Sequence, residues 1–224
     1  MNTLKYNWDE SSKKVPENKT PSNYAIEKEL LFPRNSLICD IGGGIGIDSL
    51  YFISKGHSAC DLDVSDYALE VAQRKSSKLK LTTFTTVQSD LSNGSLPFEN
   101  NSFDIVFSHL SLHYFSLEIT SRLLKEISRI LKPSGKAFIS MKSPDDKEEM
   151  SHLKSNAKEI EPSVFDDNGQ TKTRFSKETY NKMLKDNEIR DYSICDYLED
   201  FSNRKDKVQS GLNQLAQIEI VINN

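Results

Sequence analysis

The run DIGGGIG, Asp40 to Gly46, places glycines at 42, 44 and 46 between a β-prone stretch and a helical pattern. Glycine permits turns and close backbone approaches that a Cβ would block. A helix that starts just after such a loop offers unpaired N–H groups and a positive dipole end, suited to an anionic or polar ligand group. The spacing is G-x-G-x-G, with Gly43 inside it. The dinucleotide fingerprint is G-x-G-x-x-G, and Ile47 stands where its third glycine would be. A nicotinamide-type ligand is therefore disfavoured.

Carboxylates follow at informative places. Asp63, in DLDV, stands at the end of the second strand-like run, 17 positions after Gly46, where an acidic side chain can accept hydrogen bonds from a ribose diol. Asp61 points to the same face by strand alternation and competes for that role. Asp63 is preferred because the strand ends there, and ligands bind at strand ends in open sheets. Asp90, in QSDL, follows a third strand-like run and is placed to accept from an adenine amino group. Further on, His109, His113 and Tyr114 cluster at the end of FDIVFSH. His113 is the candidate for taking a proton from an acceptor or orienting it, with Tyr114 beside it. The four-residue separation of the two histidines has no third ligand nearby, so no metal site is expected.

These residues need a scaffold of strands ending in loops. SLICDI, HSACDLDV, TTFTTVQ, FDIVFSH and KAFISM read as strands. Between them lie helical patterns: one through Leu50, Phe52 and Ile53, one from Ser65 as N-cap, and SLEITSRLLKEISRILK. The last carries Leu123, Leu124, Ile127, Ile130 and Leu131 on one stripe, with Pro133 and Gly135 as its stop. The alternation predicts a doubly wound, mostly parallel sheet. A helix is expected over 176–185, and DYSICDYL and QIEIVIN as late strands, an antiparallel pair. Residues 143–174 are charged and irregular and read as an insertion. Residues 1–35 read as an arm in which only Tyr24–Phe32 has fixed structure. Tyr6 and Trp8 are candidates to close over a ligand.

The chain has 224 residues, enough for one domain with appendages. Its formal net charge of -4 argues against a grip on long stretches of phosphate backbone. Cys39, Cys60 and Cys195 lack metal-ligand or disulfide-framework spacing and are read as reduced thiols in a cytoplasmic protein. No signal peptide or membrane span is expected.

The run ICDIGGGIGIDSLYFISKGHSACDLDVSDYALEVA closely resembles the opening motifs of class I S-adenosylmethionine-dependent methyltransferases. SDLSNGSLPFENNSFDIVFSHLSLHYF and EISRILKPSGKAFIS resemble their downstream motifs, in the same order. The resemblance covers roughly residues 36–142, and its flavour is that of the small-molecule branch that includes tellurite-resistance-type enzymes. It implies a Rossmann-like α/β fold: a seven-stranded, mostly parallel sheet, helices on both faces and an antiparallel last strand. Domain limits would be 1–35 for the arm and 36–224 for the catalytic domain. The cofactor S-adenosylmethionine would be held by Asp40, Gly42, Gly43, Gly44 and Gly46, with Asp63 and Val64 at the ribose. Asp90 and Leu91 would lie at the adenine and Ser108 near the methionine moiety. Gly43 replaces a Cys or other small residue common in the family, a change expected to be harmless, and Ile47 replaces an Arg of close relatives. The acceptor would be a small molecule; the alternatives are an RNA or protein methyltransferase, or a non-catalytic adenosylmethionine-fold binding or activator protein. The protein would be a monomer or homodimer. SLHY lacks the Asn-Pro-Pro-aromatic motif of amino-methylating DNA enzymes, which argues against DNA adenine as acceptor.

Overall fold

The structure, a computed structural model, describes residues 3–201 and 214–224, with side chains from Trp8 onward. Two helices, α1 (Thr3–Lys13) and α2 (Asn23–Glu29), come first. Then follow β1 (Leu37–Ile41), α3 (Ile47–Ser54), β2 (Ser58–Asp63), α4 (Asp66–Lys78), β3 (Phe84–Gln88), β4 (Phe103–His109), α5 (Leu117–Ile130) and β5 (Leu131–Lys142). After these come α6 (Lys147–Asn156), β6 (Lys158–Glu161), β7 (Val164–Asp167) and β8 (Gln170–Thr173). The chain closes with α7 (Lys177–Asp186), β9 (Tyr192–Asp200) and β10 (Gln214–Asn223).

One sheet takes seven strands in the order β3-β2-β1-β4-β5-β10-β9. Every neighbouring pair is parallel except those of β10, which runs antiparallel to both β5 and β9. This is the Rossmann-like, doubly wound sheet with an antiparallel last strand that the motifs imply. Alternating side chains of the central strands feed two cores, as they must in a sheet covered on both faces. On β4, Ile105 and Phe107 pack with Tyr24, Phe32 and Phe52 from the α2–α3 side. Val106 packs with the α5 and α7 residues Leu123, Ile127, Tyr180 and Leu184. Leu123, Leu124, Ile127 and Ile130 are all buried, and each such burial contributes roughly 1.5–3 kcal/mol. Helices begin on side-chain caps: Ser65 Oγ accepts from the Ala68 N–H, Ser116 from Ile119 and Ser176 from Thr179. Each cap is worth about 1 kcal/mol.

Three sequence expectations require correction. The arm is more ordered than expected, because α1 docks on the domain. Asp9 Oδ1 accepts from Ser65 Oγ at 2.5 Å and from the Tyr67 N–H at 3.3 Å, at the positive end of α4. The irregular stretch 143–174 instead folds as α6 and a separate antiparallel sheet, β6-β7-β8. Its strands are short and β6 is wholly exposed, so the residues show no alternation. Finally, α5 ends at Ile130 rather than at Pro133. Leu131 is already extended and pairs with Phe103. Pro133 disfavours helix at Lys132 before it, and the following residues form an irregularity inside β5 where its register on β4 shifts. Among the described residues, no helix is long and apolar enough to cross a membrane.

Candidate functional site

β1 lies at the point where the chain winds first toward β2 and β3 and then toward β4 and β5. Ligands of open α/β sheets bind in the crevice outside the carboxyl ends of strands at such a switch point. Two adjoining cavities open there, sharing Gly42, Leu110 and Tyr114 in their walls.

The smaller cavity, about 140 Å³, lies between Trp8, Asp63, Val64, Asp90, Leu91 and Phe115. Asp63 Oδ2 accepts the Gly44 N–H at 3.0 Å, and Oδ1 accepts the Ser65 N–H at 2.9 Å. The carboxylate thus ties the glycine loop to the end of β2. Burial raises its pKa, and these backbone hydrogen bonds only partly offset that. Asp90 caps a 3-10 turn, accepting the Ser92 N–H at 2.9 Å. Trp8 meets Tyr114 edge-on, with ring centroids 4.7 Å apart. The Tyr6 side chain lies outside the described residues.

The larger cavity, about 390 Å³, is bounded by the loop glycines 42–44, Asp40, Asp48, His109, His113 and Lys142, with Glu199 and Lys19. Gly42 has φ +73° and a Cβ there would lie 2.4 Å from the Ser111 Cβ, so both backbone and space demand glycine. Gly46 caps α3 without a side-chain hydrogen bond. Asp40 Oδ2 accepts from Ser49 Oγ at 2.8 Å. Burial, reinforced by the nearby Asp48 carboxylate, pushes its pKa up to about 8.

The rival aspartates separate cleanly. Asp63 reaches the smaller cavity, whereas Asp61 is wholly buried under the loop with neither carboxylate oxygen hydrogen-bonded. Desolvation, then the charges of Asp40 and Asp63, raise the Asp61 pKa well above the ordinary range. Ser108 stands one layer back: its hydroxyl donates to the Ile41 carbonyl at 3.2 Å and meets Ser111 Oγ at 3.0 Å. Ser111 lines the smaller cavity in front of it.

The two histidines have different surroundings. His109 is fixed: Nδ1 lies 2.7 Å from Ser140 Oγ, Nε2 lies 3.2 Å from Glu199 Oε2, and the ring stacks on Tyr24. Although burial works to raise it, Glu199 is held below its ordinary pKa by the hydrogen bond and charge of His109. His113 is fully buried, and neither ring nitrogen has a hydrogen-bond partner. Burial first, then the charges of Arg174 and Lys142, depress its pKa well below 6.5. It is a neutral imidazole with a donor and an acceptor to offer. Among the described residues, no three His, Cys, Asp or Glu side chains are grouped to hold a metal.

Sequence reasoning missed the Ser140–His109–Glu199 chain, because Glu199 arrives from a distant strand. It also missed Leu110, whose φ of +55° follows β4 at the shared wall. A branched residue in that region costs on the order of 1–3 kcal/mol, and nothing in the sequence signals it.

Residues 39–139 match the methyltransferase-domain family. The match covers somewhat under half of the chain and holds both the glycine loop and the His109–Tyr114 segment. A sterol 4-C-methyltransferase of Caenorhabditis elegans is 28% identical over 134 residues, 58% of this chain and 39% of that protein. A demethylmenaquinone methyltransferase of Tropheryma whipplei is 28% identical over 105 residues, 46% of this chain and 40% of its own. The chain spans a fifth to two fifths of the length of the curated relatives it matches. Among solved structures, an S-adenosylmethionine-dependent methyltransferase of Methanosarcina mazei superposes with a TM-score of 0.68 at 20% identity. That superposition covers 86% of this chain and 94% of the other, and it establishes the methyltransferase-type fold.

Proposed function

We propose that the chain is an S-adenosylmethionine-dependent methyltransferase that acts on a small-molecule acceptor. The observation that carries this reading is the pair of adjoining cavities, one flanked by Asp63 and Asp90 and the other by the glycine loop and His113. The residues fit such a cofactor. The smaller cavity has carboxylates at Asp63 and Asp90 for hydroxyl and amino donors, and apolar walls at Val64, Leu91 and Phe115 for a flat ring. The larger has the Asp48 and Glu199 carboxylates in its walls, suited to an ammonium and a sulfonium, with the protonated Asp40 beside them. When bound, the cofactor supplies a methyl group on a positively charged sulfur, a donor already reactive toward in-line attack.

The chain's own residues then have three tasks. The glycine loop and Asp63, joined through the Gly44 N–H, hold the adenosyl end. Trp8 and Tyr114 close one side with aromatic faces, which exclude water and favour a nearby cation. His113 presents a neutral ring that orients the acceptor by hydrogen bonding. Alignment of this kind can supply several kcal/mol of the barrier reduction.

The small-molecule reading is supported by relatives whose names state sterol and demethylmenaquinone acceptors. The motif flavour favours the branch that includes tellurite-resistance-type enzymes, and the free thiols of Cys39, Cys60 and Cys195 favour the cytoplasm. The test is to incubate the protein with labelled methyl donor and a fractionated small-metabolite extract. Label transfer to a metabolite, lost in Asp63→Ala, supports the reading. No transfer by protein that binds the cofactor product would oppose it.

A further inference from the structure

The small sheet formed by residues 158–173 does not stand apart from the cavity. Its strand β8 packs on the 3-10 turn, Leu112–Tyr114, that carries His113. Directly after β8 comes Arg174, which is 1% exposed. One guanidinium nitrogen donates to the Thr173 carbonyl and another to Glu149 Oε1, while Nε has no partner. Lys142, at the end of β5, lines the larger cavity and donates to the same Glu149 oxygen at 2.8 Å. Glu149 Oε2 is buried and unpartnered. Two cations therefore share one carboxylate oxygen, leaving an excess positive charge beside His113 and Tyr114.

The rest of the cavity carries Asp40, Asp48 and Glu199, with Lys19 as a further cation. The charges acting on His113, by contrast, are those of Arg174 and Lys142, then His109 and Lys172. A buried cation with an unused donor, beside a neutral imidazole with two unused nitrogens, is costly unless something polar occupies the space. A carboxylate in the cavity would accept from Lys142 and from the one N–H of the neutral His113 ring, and its charge would offset that of Arg174 behind them.

We propose that the acceptor carries a carboxylate, held by Lys142 and the His113 ring on the side of the larger cavity that residues 143–174 back from behind, with Arg174 reinforcing the field. This rests on the methyltransferase reading and adds the chemical class of its acceptor. If that carboxylate is the methylated group, its oxygen attacks the methyl carbon. A C–O bond forms as the C–S bond breaks, the electron pair stays on sulfur, and no proton moves. A neutral His113 suits that step, since it is asked to donate a hydrogen bond rather than to remove a proton.

The test is saturation-transfer NMR on the S-adenosylhomocysteine-loaded protein. Benzoate, octanoate and malonate are compared with benzamide, octanamide and malonamide. At least one carboxylate should bind at least tenfold more tightly than its amide. Lys142→Gln should remove that preference while leaving S-adenosylhomocysteine affinity unchanged, and Lys142→Arg should keep it. Equal binding of acids and amides, no binding of any of the acids to loaded protein, or a preference that survives Lys142→Gln would overturn the proposal. Failure of S-adenosylhomocysteine to bind in the same samples would overturn the cofactor reading as well, which tells the two failures apart.

Discussion

Asp40 and Asp61 are register partners on β1 and β2, and both set carboxylate oxygens against Gly43. A Cβ at Gly43 would lie 2.5 Å from Asp61 Oδ1 and 2.8 Å from Asp40 Oδ2. The glycine that looked like a harmless replacement for a slightly larger residue is thus the partner of a buried aspartate. Gly43→Ala is expected to destabilise the protein by about 1–3 kcal/mol, the cost of overpacking. Asp61→Ala should relieve most of that loss, and a double-mutant cycle by urea denaturation measures it. Additive effects would mean that the two positions do not compete for space.

The same carboxylates make a pH prediction. Asp40 titrates near 8 in the fold, against an ordinary 3.8. Between those values the folded state holds a proton that the unfolded chain has lost, so stability falls as pH rises. His113, with its depressed pKa, works in the opposite sense, weakening the fold below 6.5, and does so in any Asp40 variant too. Comparing melting curves of wild type and Asp40→Asn from pH 5 to 8 reads the contribution of Asp40 together with its effect on the neighbouring Asp61. The wild type should lose stability relative to the variant across that window. A constant difference would contradict the assignment.

Trp8 is the protein's sole tryptophan and lines the smaller cavity. Its fluorescence should change saturably on titration with S-adenosylhomocysteine, and Trp8→Ala should weaken binding severalfold. An unchanged spectrum at saturation would place the ligand away from α1.

Asp63→Ala should weaken S-adenosylhomocysteine binding at least tenfold, because it removes both a ligand acceptor and the tie to the Gly44 N–H. Circular dichroism should show the fold retained. His113→Ala should leave that affinity unchanged and lower turnover at least tenfold once an acceptor is in hand. Unchanged turnover would remove His113 from the mechanism.

What the sequence made legible was whatever local chemistry controls. The glycine loop, the cap at Ser65 and the apolar stripe of α5 from Leu123 to Ile130 are local signals, and each falls where expected. The preference for Asp63 over Asp61 followed from strand ends, and Asp63 is the one of the two that lines a cavity. What escaped was decided by tertiary contact. The polar helix α1 is held by Asp9 on α4 and Trp8 on Tyr114, partners more than fifty residues away. The strands of 158–173 pair mainly with each other and leave little apolar periodicity to read. Glu199 meets His109 only because β9 joins the sheet beyond β10.

Calorimetric titration of the purified protein with S-adenosylhomocysteine, with NADH as a parallel control, tests the central claim most directly. Saturable one-to-one binding of the adenosyl ligand, with none of NADH, is the predicted result. Heat from NADH alone, or from neither ligand, would contradict it.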